Sequence, residues 1–316
     1  MKTLRHELPH GSHPQPLATS LNKNTKMLYD NPLELYEYLL LGPLCEIYKA
    51  RKKSKLYDWQ IYSNLLIDKF AIHSSSFFHI SKGIIERKKS SVTLQLKGYD
   101  LFTINTTIRA MIETYVTFNH LFVEPKNSDE SHFRYLLWKL DGLFQERKYD
   151  IKSDDFDGLA EFIEYKEKEI NSTIDSITNS IFFKQISKIE ISKIFNPTKK
   201  TVNWRFAYDG SRVLPLKIIE LVKHCCKTRA FVNTYKHSSL HTHSNYPSLN
   251  EFKSVRSRLL STEYTDPITR LSIYLTCLII TDICEIDKNS EKKLKDFPLD
   301  IRELITRTSY SIKESK

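Results

Sequence analysis

Apolar residues recur along most of the chain at intervals of three and four positions, which is the spacing of one face of an α-helix. The longest such patterns cover residues 58–86, 100–123, 129–149 and 154–180. Further helices are expected to begin where proline stands in the first turn, at Pro32, Pro247, Pro267 and Pro298. Gly42-Pro43 is expected to end the first of them. No stretch alternates apolar and polar residues as a half-buried strand does. The pattern therefore predicts an all-α fold, a multi-helix bundle without a sheet of consequence.

Two segments stand outside this helical pattern. Residues 1–29 are rich in Pro, His, Asn, Ser and Thr and show no periodicity, so we expect a flexible N-terminal arm. Residues 30–316 are expected to form a single helical domain. Within it, residues 197–210 are the longest aperiodic segment, which makes them a candidate internal boundary or functional loop.

The polar residues of one predicted helix are the main candidates for a functional site. This helix is expected from Val213 to Ser239, after a turn at Asp209-Gly210. Its apolar stripe runs through Ile218, Ile219, Val222, Cys225 and Cys226. At four-residue spacing the stripe continues with three polar residues, Arg229, Asn233 and His237. Burying such groups without partners costs about 1–3 kcal/mol each, so we expect a core network, a cleft or a dimer partner to satisfy them.

The end of the same helix is rich in histidine. His237 and His241 stand four residues apart, and His243 follows them closely. A metal ion shared by these three histidines is one interpretation, and histidines on the surface are the other. No H-E-x-x-H motif is present, and no acidic residue stands between His224 and Glu251. We therefore predict no metal site, and no other feature of the sequence indicates a cofactor.

Arg109 and Glu113 are a second pair of candidates. They stand four residues apart on the helix predicted over residues 100–123, close enough to form an ion pair. One interpretation is a surface pair worth about 0.2–0.5 kcal/mol. The other is a polar cleft facing the helix of Arg229, because Ile112 and Val116 place the pair at the edge of the buried face.

Composition excludes several classes of protein. The chain has only seven glycines and no Gly-rich phosphate loop, which argues against a nucleotide-binding α/β fold. Its five cysteines are odd in number and lack C-x-x-C spacing, so we expect reduced thiols in a cytoplasmic protein. The most apolar run, residues 271–286, is short and carries Asp282 and Glu285. It predicts a buried helix and no membrane span.

The net charge of +10 suits an anionic partner. One basic cluster is interleaved with an aromatic residue, a combination that backbone phosphates and stacked bases can use. Its members are Lys199, Lys200, Trp204 and Arg205. We therefore name RNA as a candidate partner at these four residues.

Two short motifs carry a resemblance to known proteins. The first is Arg109-Ala-Met-Ile-Glu113 and the second is Tyr235-Lys-His-Ser238-Ser-Leu-His241. With the all-helical pattern, they resemble an uncharacterised family of bacterial helical proteins, which is similar in turn to the HEPN superfamily. That resemblance implies a dimeric helical bundle, often a metal-independent ribonuclease of toxin–antitoxin or antiphage systems, with an Arg-x4-6-His motif at the dimer cleft. The chain departs from that motif, because seven residues separate Arg229 from His237 and the arginine is followed by Ala230.

Two hypotheses about function follow. The first is a HEPN-like, metal-independent endoribonuclease acting on RNA in bacterial defence or stress. In it, His237 or His241 is the base, Arg229 binds phosphate and Asn233 orients the reacting groups, since such a reaction needs a base and a cation. The second is a non-catalytic helical module that binds a protein partner, a sensor or antitoxin-like subunit. A homodimer or another protein partner is expected in either case.

Overall fold

The computed structural model describes residues 30–83, 99–148, 159–243, 245–255 and 265–314. The N-terminal arm predicted over residues 1–29 lies outside these ranges. Within them the chain is mostly helical, and the strands form two short two-stranded hairpins. The prediction of an all-α class is confirmed.

The first helix begins as predicted but does not end where expected. Helix α1 spans Pro32–Leu39, and the Asn31 side chain accepts a hydrogen bond from the backbone N–H of Glu34 at 3.5 Å. Gly42-Pro43 does not stop the chain from remaining helical. Instead a π turn at Leu40–Leu44 leads into α2 (Cys45–Arg51). Pro43 has no N–H to donate, and the wider π turn accommodates the missing hydrogen bond.

Four long helices form the middle of the fold. They are α3 (Ile61–Ser81), α4 (Leu101–Phe118), α5 (Ser128–Glu146) and α6 (Leu159–Asn179). Asp100 caps α4 by accepting hydrogen bonds from the backbone N–H groups of Phe102 and Thr103. Helix α4 continues as a π turn over Asn119–Val123, packs along α3 and exposes little of its surface. It is therefore a central element on which other helices are placed.

Two hairpins occupy the segment in which we expected an aperiodic boundary followed by a helix from Val213. The short helices α7 (Ile181–Gln185) and α8 (Lys188–Ile191) come first. In the first hairpin, β1 (Phe195–Asn196) pairs antiparallel with β2 (Thr201–Val202). In the second, β3 (Phe206–Tyr208) pairs antiparallel with β4 (Val213–Pro215). The expected turn at Asp209-Gly210 is present, but it joins two strands. The Asp209 carboxylate accepts the N–H groups of residues 211 and 212, and Gly210 has φ of 105°. Trp204, Phe206 and Val213 are buried in the same hydrophobic cluster as the helices on either side.

The single helix predicted over residues 213–239 is two helices, so that prediction is wrong. Helix α9 spans Ile218–Cys226 and α10 spans Arg229–Thr242. Between them Lys227 adopts a left-handed conformation with φ of 54°, and the Thr228 hydroxyl caps α10 through the N–H of Ala230. The break changes which residues of α10 are buried, so its polar positions do not continue the apolar stripe of α9.

The remaining helices close the fold. They are α11 (Tyr246–Val255), α12 (Thr265–Ile286), α13 (Lys288–Lys295) and α14 (Leu299–Glu314). Helix α12 is the one described helix long and apolar enough to cross a membrane by length and composition, yet 67% of its apolar window is buried inside the protein. It packs against α1 and α14 and carries the buried Asp282, which accepts hydrogen bonds from Tyr115 and Asn119. Its burial and its paired carboxylate are those of a core helix.

Candidate functional site

Helix α10 packs along α4 through a face that is only partly apolar. The buried residues of α10 are Phe231, Tyr235, Ser238 and His241. Along the contact, Tyr235 meets Glu113, Ser238 meets Asn105 and the His241 ring meets Phe102. Residue numbers rise on one helix as they fall on the other, so the two helices run antiparallel. The three polar residues of this face are those of the second sequence motif.

At one end of the contact, Arg109, Glu113 and Tyr235 form a hydrogen-bonded cluster. The Arg109 Nε donates to the Glu113 carboxylate at 3.0 Å, and the Tyr235 hydroxyl donates to the same oxygen at 2.8 Å. Arg109 also reaches the Tyr235 oxygen at 3.4 Å. Burial and the neighbouring carboxylate raise the pKa of Tyr235 to about 12, so the phenol stays protonated as a donor. The expected ion pair is present, and it contacts α10, the helix that carries Arg229, through the hydroxyl of Tyr235.

In the middle of the contact a buried hydrogen bond joins the two helices. The Ser238 hydroxyl donates to the Asn105 side-chain oxygen at 3.2 Å, and the Asn105 amide donates to the Leu101 carbonyl at 2.8 Å. Both side chains are fully buried. Because these polar groups satisfy one another, they fix the register of α10 on α4.

At the other end, two histidines of α10 share one carboxylate of α11. The Nε2 atoms of His237 and His241 lie 2.8 Å and 3.3 Å from the same Glu251 oxygen. The side chain of His241 is fully buried, whereas those of His237 and Glu251 are 41% and 28% exposed. Burial would raise the pKa of Glu251, but the hydrogen bonds from both histidines outweigh it and hold that pKa well below its usual range. The carboxylate is therefore charged and directs both imidazoles.

Glu251 is the residue that sequence reasoning missed. It stands ten positions after His241 and belongs to the next helix, so its approach depends on the turn between α10 and α11. The only signal available was its place as the first acidic residue after the histidines. Three possible metal ligands, His237, His241 and Glu251, consequently lie together where we expected none.

Arg229 and Asn233 do not lie in the buried face, and this corrects the expectation that they point inward. Both are exposed, because the break at Lys227 sets α10 apart from the apolar stripe of α9. At eight and four residues before His237 they form an exposed row with it on α10. Arg229 therefore does not join the cluster of Arg109 and Glu113.

The proposed RNA contact residues separate into exposed and buried members. Lys199 and Lys200 are exposed in the turn between β1 and β2, and Arg205 is partly exposed. Trp204 is only 7% exposed, and its carbonyl accepts a hydrogen bond from the His120 ring at 3.0 Å. Its indole ring is thus part of the core and is not presented to a base.

A second polar cluster, not foreseen from the sequence, lies beneath the hairpin of β3 and β4. The buried Arg134 bonds Glu130 at 2.6 Å, Glu124 and the Nδ1 of His120, and His224 binds Glu124 at 2.9 Å. Burial, and then the charge of Arg134, lowers the pKa of His120 to about 4. The Nδ1 of His120 also lies 2.9 Å from the Glu124 carboxylate, and its Nε2 lies 3.0 Å from the Trp204 carbonyl. Each of these residues has a hydrogen-bond partner within the cluster, so we assign the cluster a role in stabilising the fold.

Comparison with known proteins gives one match. A family of unknown function, DUF5677, matches residues 84–257, a span that contains α4, α10 and α11 and hence the polar contacts described above. No curated protein and no solved structure matches the chain. Because the matched span is more than half of the 316 residues, the chain belongs to the DUF5677 family, whose function is unknown.

Proposed function

We propose that the chain is a HEPN-like endoribonuclease that acts on RNA in the cytoplasm, in bacterial defence or stress. The observation that carries the proposal is the contact between His237 and Glu251 at 2.8 Å. His237 is the one of the two histidines on Glu251 that solvent reaches, and an ionised carboxylate holds its ring in a fixed orientation. Carboxylate-oriented histidine with access to a substrate is an arrangement used for general acid–base catalysis.

The hydrogen bond to Glu251 decides which ring nitrogen acts. With the Nε2 proton donated to the carboxylate, the lone pair of His237 is on Nδ1. We assign Nδ1 as the base that removes the proton of an RNA 2′-hydroxyl. The 2′-oxygen then attacks the adjacent phosphorus and the bond to the 5′-oxygen breaks. The 5′-oxygen takes a proton from water and leaves as a hydroxyl, and the hydroxide so formed takes the proton from the imidazolium. Glu251 stabilises the imidazolium formed in the first step.

The cation for the pentacovalent phosphate comes from the exposed row of α10. Arg229 stands eight residues before His237, or roughly 12 Å along the helix axis, which is too far for one phosphate to contact both within a chain. An antiparallel pairing of two α10 helices centred on Asn233 removes this difficulty. Two-fold symmetry would then place Arg229 of one copy beside His237 of the other. Arg109, Glu113 and Tyr235 position α10 in this scheme and do not contact RNA.

A cleavage assay on a fluorescently labelled single-stranded RNA tests the proposal. We expect His237→Gln and Arg229→Ala to lose cleavage while the circular-dichroism spectrum stays that of the folded protein. His243→Gln is the matched control, because His243 is an exposed histidine at the end of the same helix. Wild-type protein that leaves RNA intact, or a His237→Gln variant as active as wild type, contradicts the proposal.

Mixing the two inactive variants tests the composite site. Half of the dimers in an equal mixture pair different variants, and each of those has one intact site of two, so about one quarter of wild-type activity should return. Two sites each contained within one chain would give no recovery. That result would contradict the pairing and leave the assignment of His237 in place.

A protein-interaction module is the second candidate, and one observation favours it. Helix α3 exposes three large apolar residues on one stripe, Ile61, Leu65 and Ile72. A partner protein would remove this surface from water. If expression of the chain slows growth, Leu65→Asp should abolish that effect and His237→Gln should not, the reverse of what the ribonuclease proposal requires.

A further inference from the structure

We propose that His237, His241 and Glu251 form a binding site for a zinc ion. Each offers one ligand atom, and the three atoms lie within 4.8 Å of one another. The proposal concerns metal binding by the chain and stands whether or not the chain cleaves RNA.

The distances from the Glu251 oxygen to the two histidines are close to those of tetrahedral coordination. Zinc lies about 2.0–2.1 Å from nitrogen and oxygen ligands, so two ligands of a tetrahedron are about 3.3 Å apart. The Glu251 oxygen is 2.8 Å from one Nε2 atom and 3.3 Å from the other. The two histidines are four residues apart on one helix, so their rings project from neighbouring turns, with centroids 4.8 Å apart. Small side-chain shifts are enough to admit the ion.

Packing holds the site in place on its buried side. The His241 ring lies against Phe102 of α4, and Phe252, the neighbour of Glu251, lies against the same phenylalanine. Both helices that supply ligands are thereby fixed to α4. The Nδ1 of His241 has no hydrogen-bond partner among the described residues, so ring packing and not a hydrogen bond to Nδ1 orients this ligand.

Partial exposure of the other two ligands gives the ion a path from solvent and a free coordination position. His237 and Glu251 are both partly exposed, so a water molecule can be the fourth ligand. Two histidines, one carboxylate and one water are a ligand set found in zinc sites with an open position. Calcium and magnesium prefer six or more oxygen ligands, which this group of side chains does not supply. The ligand set therefore favours zinc over calcium and magnesium.

Zinc binding has a consequence for catalysis that rests on the proposed function. A histidine bound to zinc through Nε2 carries its proton on Nδ1, which is the atom assigned above as the base. Zinc and RNA cleavage would then exclude each other, so the ion acts as a reversible inhibitor. Adding zinc should stop cleavage, and a chelator should restore it.

Titration of the metal-free full chain with zinc sulfate in a calorimeter tests the site directly. We expect one zinc ion per chain and a higher melting temperature in the presence of zinc. Because His241 is buried, its replacement can unfold the protein, so the test uses His237→Asn and Glu251→Gln at partly exposed positions. Each should weaken binding by more than about tenfold, a loss that even second-shell changes can cause. His243→Asn should bind zinc as wild type does.

The outcomes separate the two proposals. No zinc binding, or binding unchanged in both His237→Asn and Glu251→Gln, overturns the zinc site. Zinc bound at these residues by a chain that never cleaves RNA supports the site and overturns the ribonuclease. Cleavage that requires zinc supports the site and overturns catalysis by a free His237.

Discussion

The Tyr235 hydroxyl donates a hydrogen bond to the Glu113 carboxylate at 2.8 Å across the contact of α10 with α4. Arg109 donates to the same carboxylate oxygen, so one acceptor joins residues more than a hundred positions apart in sequence. The contact fixes the end of α10 that precedes His237. The orientation of His237 therefore depends on a cluster of residues that His237 does not contact.

Replacing Tyr235 by phenylalanine tests the strength of this cluster. The ring is retained and the donor is lost, so we expect a loss of about 1.5–3 kcal/mol in the free energy of unfolding, typical of a hydrogen bond to a charged group. Urea denaturation followed by circular dichroism measures it. Tyr246→Phe, at an exposed tyrosine, should change nothing. In a double-mutant cycle with Glu113→Gln, the double variant should lose less free energy of unfolding than the sum of the losses in the two single variants. Strict additivity would contradict a direct interaction.

A second prediction concerns the pH dependence of stability through His120. Its pKa is lowered to about 4 in the folded protein, by burial and by Arg134, against about 6.5 in an unfolded chain. The unfolded state therefore binds a proton first as the pH falls, and the folded state loses stability between about pH 6.5 and pH 4. The contribution is fully present above pH 6.5 and amounts to roughly 3 kcal/mol at most.

The same cluster extends this pH dependence to lower values. Burial would raise the pKa of Glu124, but hydrogen bonds from His120 and His224 and the charge of Arg134 hold it well below the usual range. Its contribution is lost as the pH falls below the pKa of an ordinary carboxyl. Melting temperatures from pH 7 to pH 3 test both statements. His120→Gln should make the melting temperature depend less on pH between pH 6.5 and pH 4, and His243→Gln should not. A wild-type melting temperature that stays constant over that range contradicts the assignment to His120.

The basic residues of the first hairpin give a prediction about RNA affinity. Lys199 and Lys200 are exposed in its turn, so the double variant Lys199→Ala/Lys200→Ala should bind single-stranded RNA more weakly. If each lysine contacts one phosphate, the slope of log affinity against log salt should fall in magnitude by about 1.4. Lys288→Ala/Lys292→Ala removes the same charge from exposed positions on α13 and should keep the wild-type slope. Equal slopes for the two double variants would exclude the hairpin as an RNA contact.

The long helices were predictable from the sequence because local signals specify them. Asn31-Pro32 and Asp100 start helices where the sequence indicates, and apolar spacing identifies the buried faces. The hairpins were not predictable from the sequence, since strands of two or three residues are too short to show an alternation of apolar and polar residues. The four-residue spacing predicted the ion pair of Arg109 with Glu113. The inward row of Tyr235, Ser238 and His241 was not predicted, and the residue that completes the histidine cluster comes from another helix. Contacts of that kind depend on tertiary packing, which periodicity does not report.

The error with the largest effect was the unbroken helix through Lys227. No glycine or proline marks the break, and Thr228 is a weak cap signal within an apolar pattern. Lys227 nevertheless adopts φ of 54°, a conformation that costs a residue with a Cβ roughly 1–2 kcal/mol and costs glycine little. Lys227→Gly should therefore stabilise the protein by up to about 1 kcal/mol, the relief of this strain being partly offset by the greater freedom of glycine in the unfolded chain.

The matched variant for this last prediction is Lys223→Gly, one turn earlier on the exposed side of α9. There the backbone is helical, so glycine should destabilise the protein by about 1 kcal/mol. Opposite signs for the two lysines in urea denaturation are the expected result. A loss of stability in both variants would mean that the chain passes residue 227 as a continuous helix, and Arg229, Asn233 and His237 would then turn towards the core as the sequence pattern predicts.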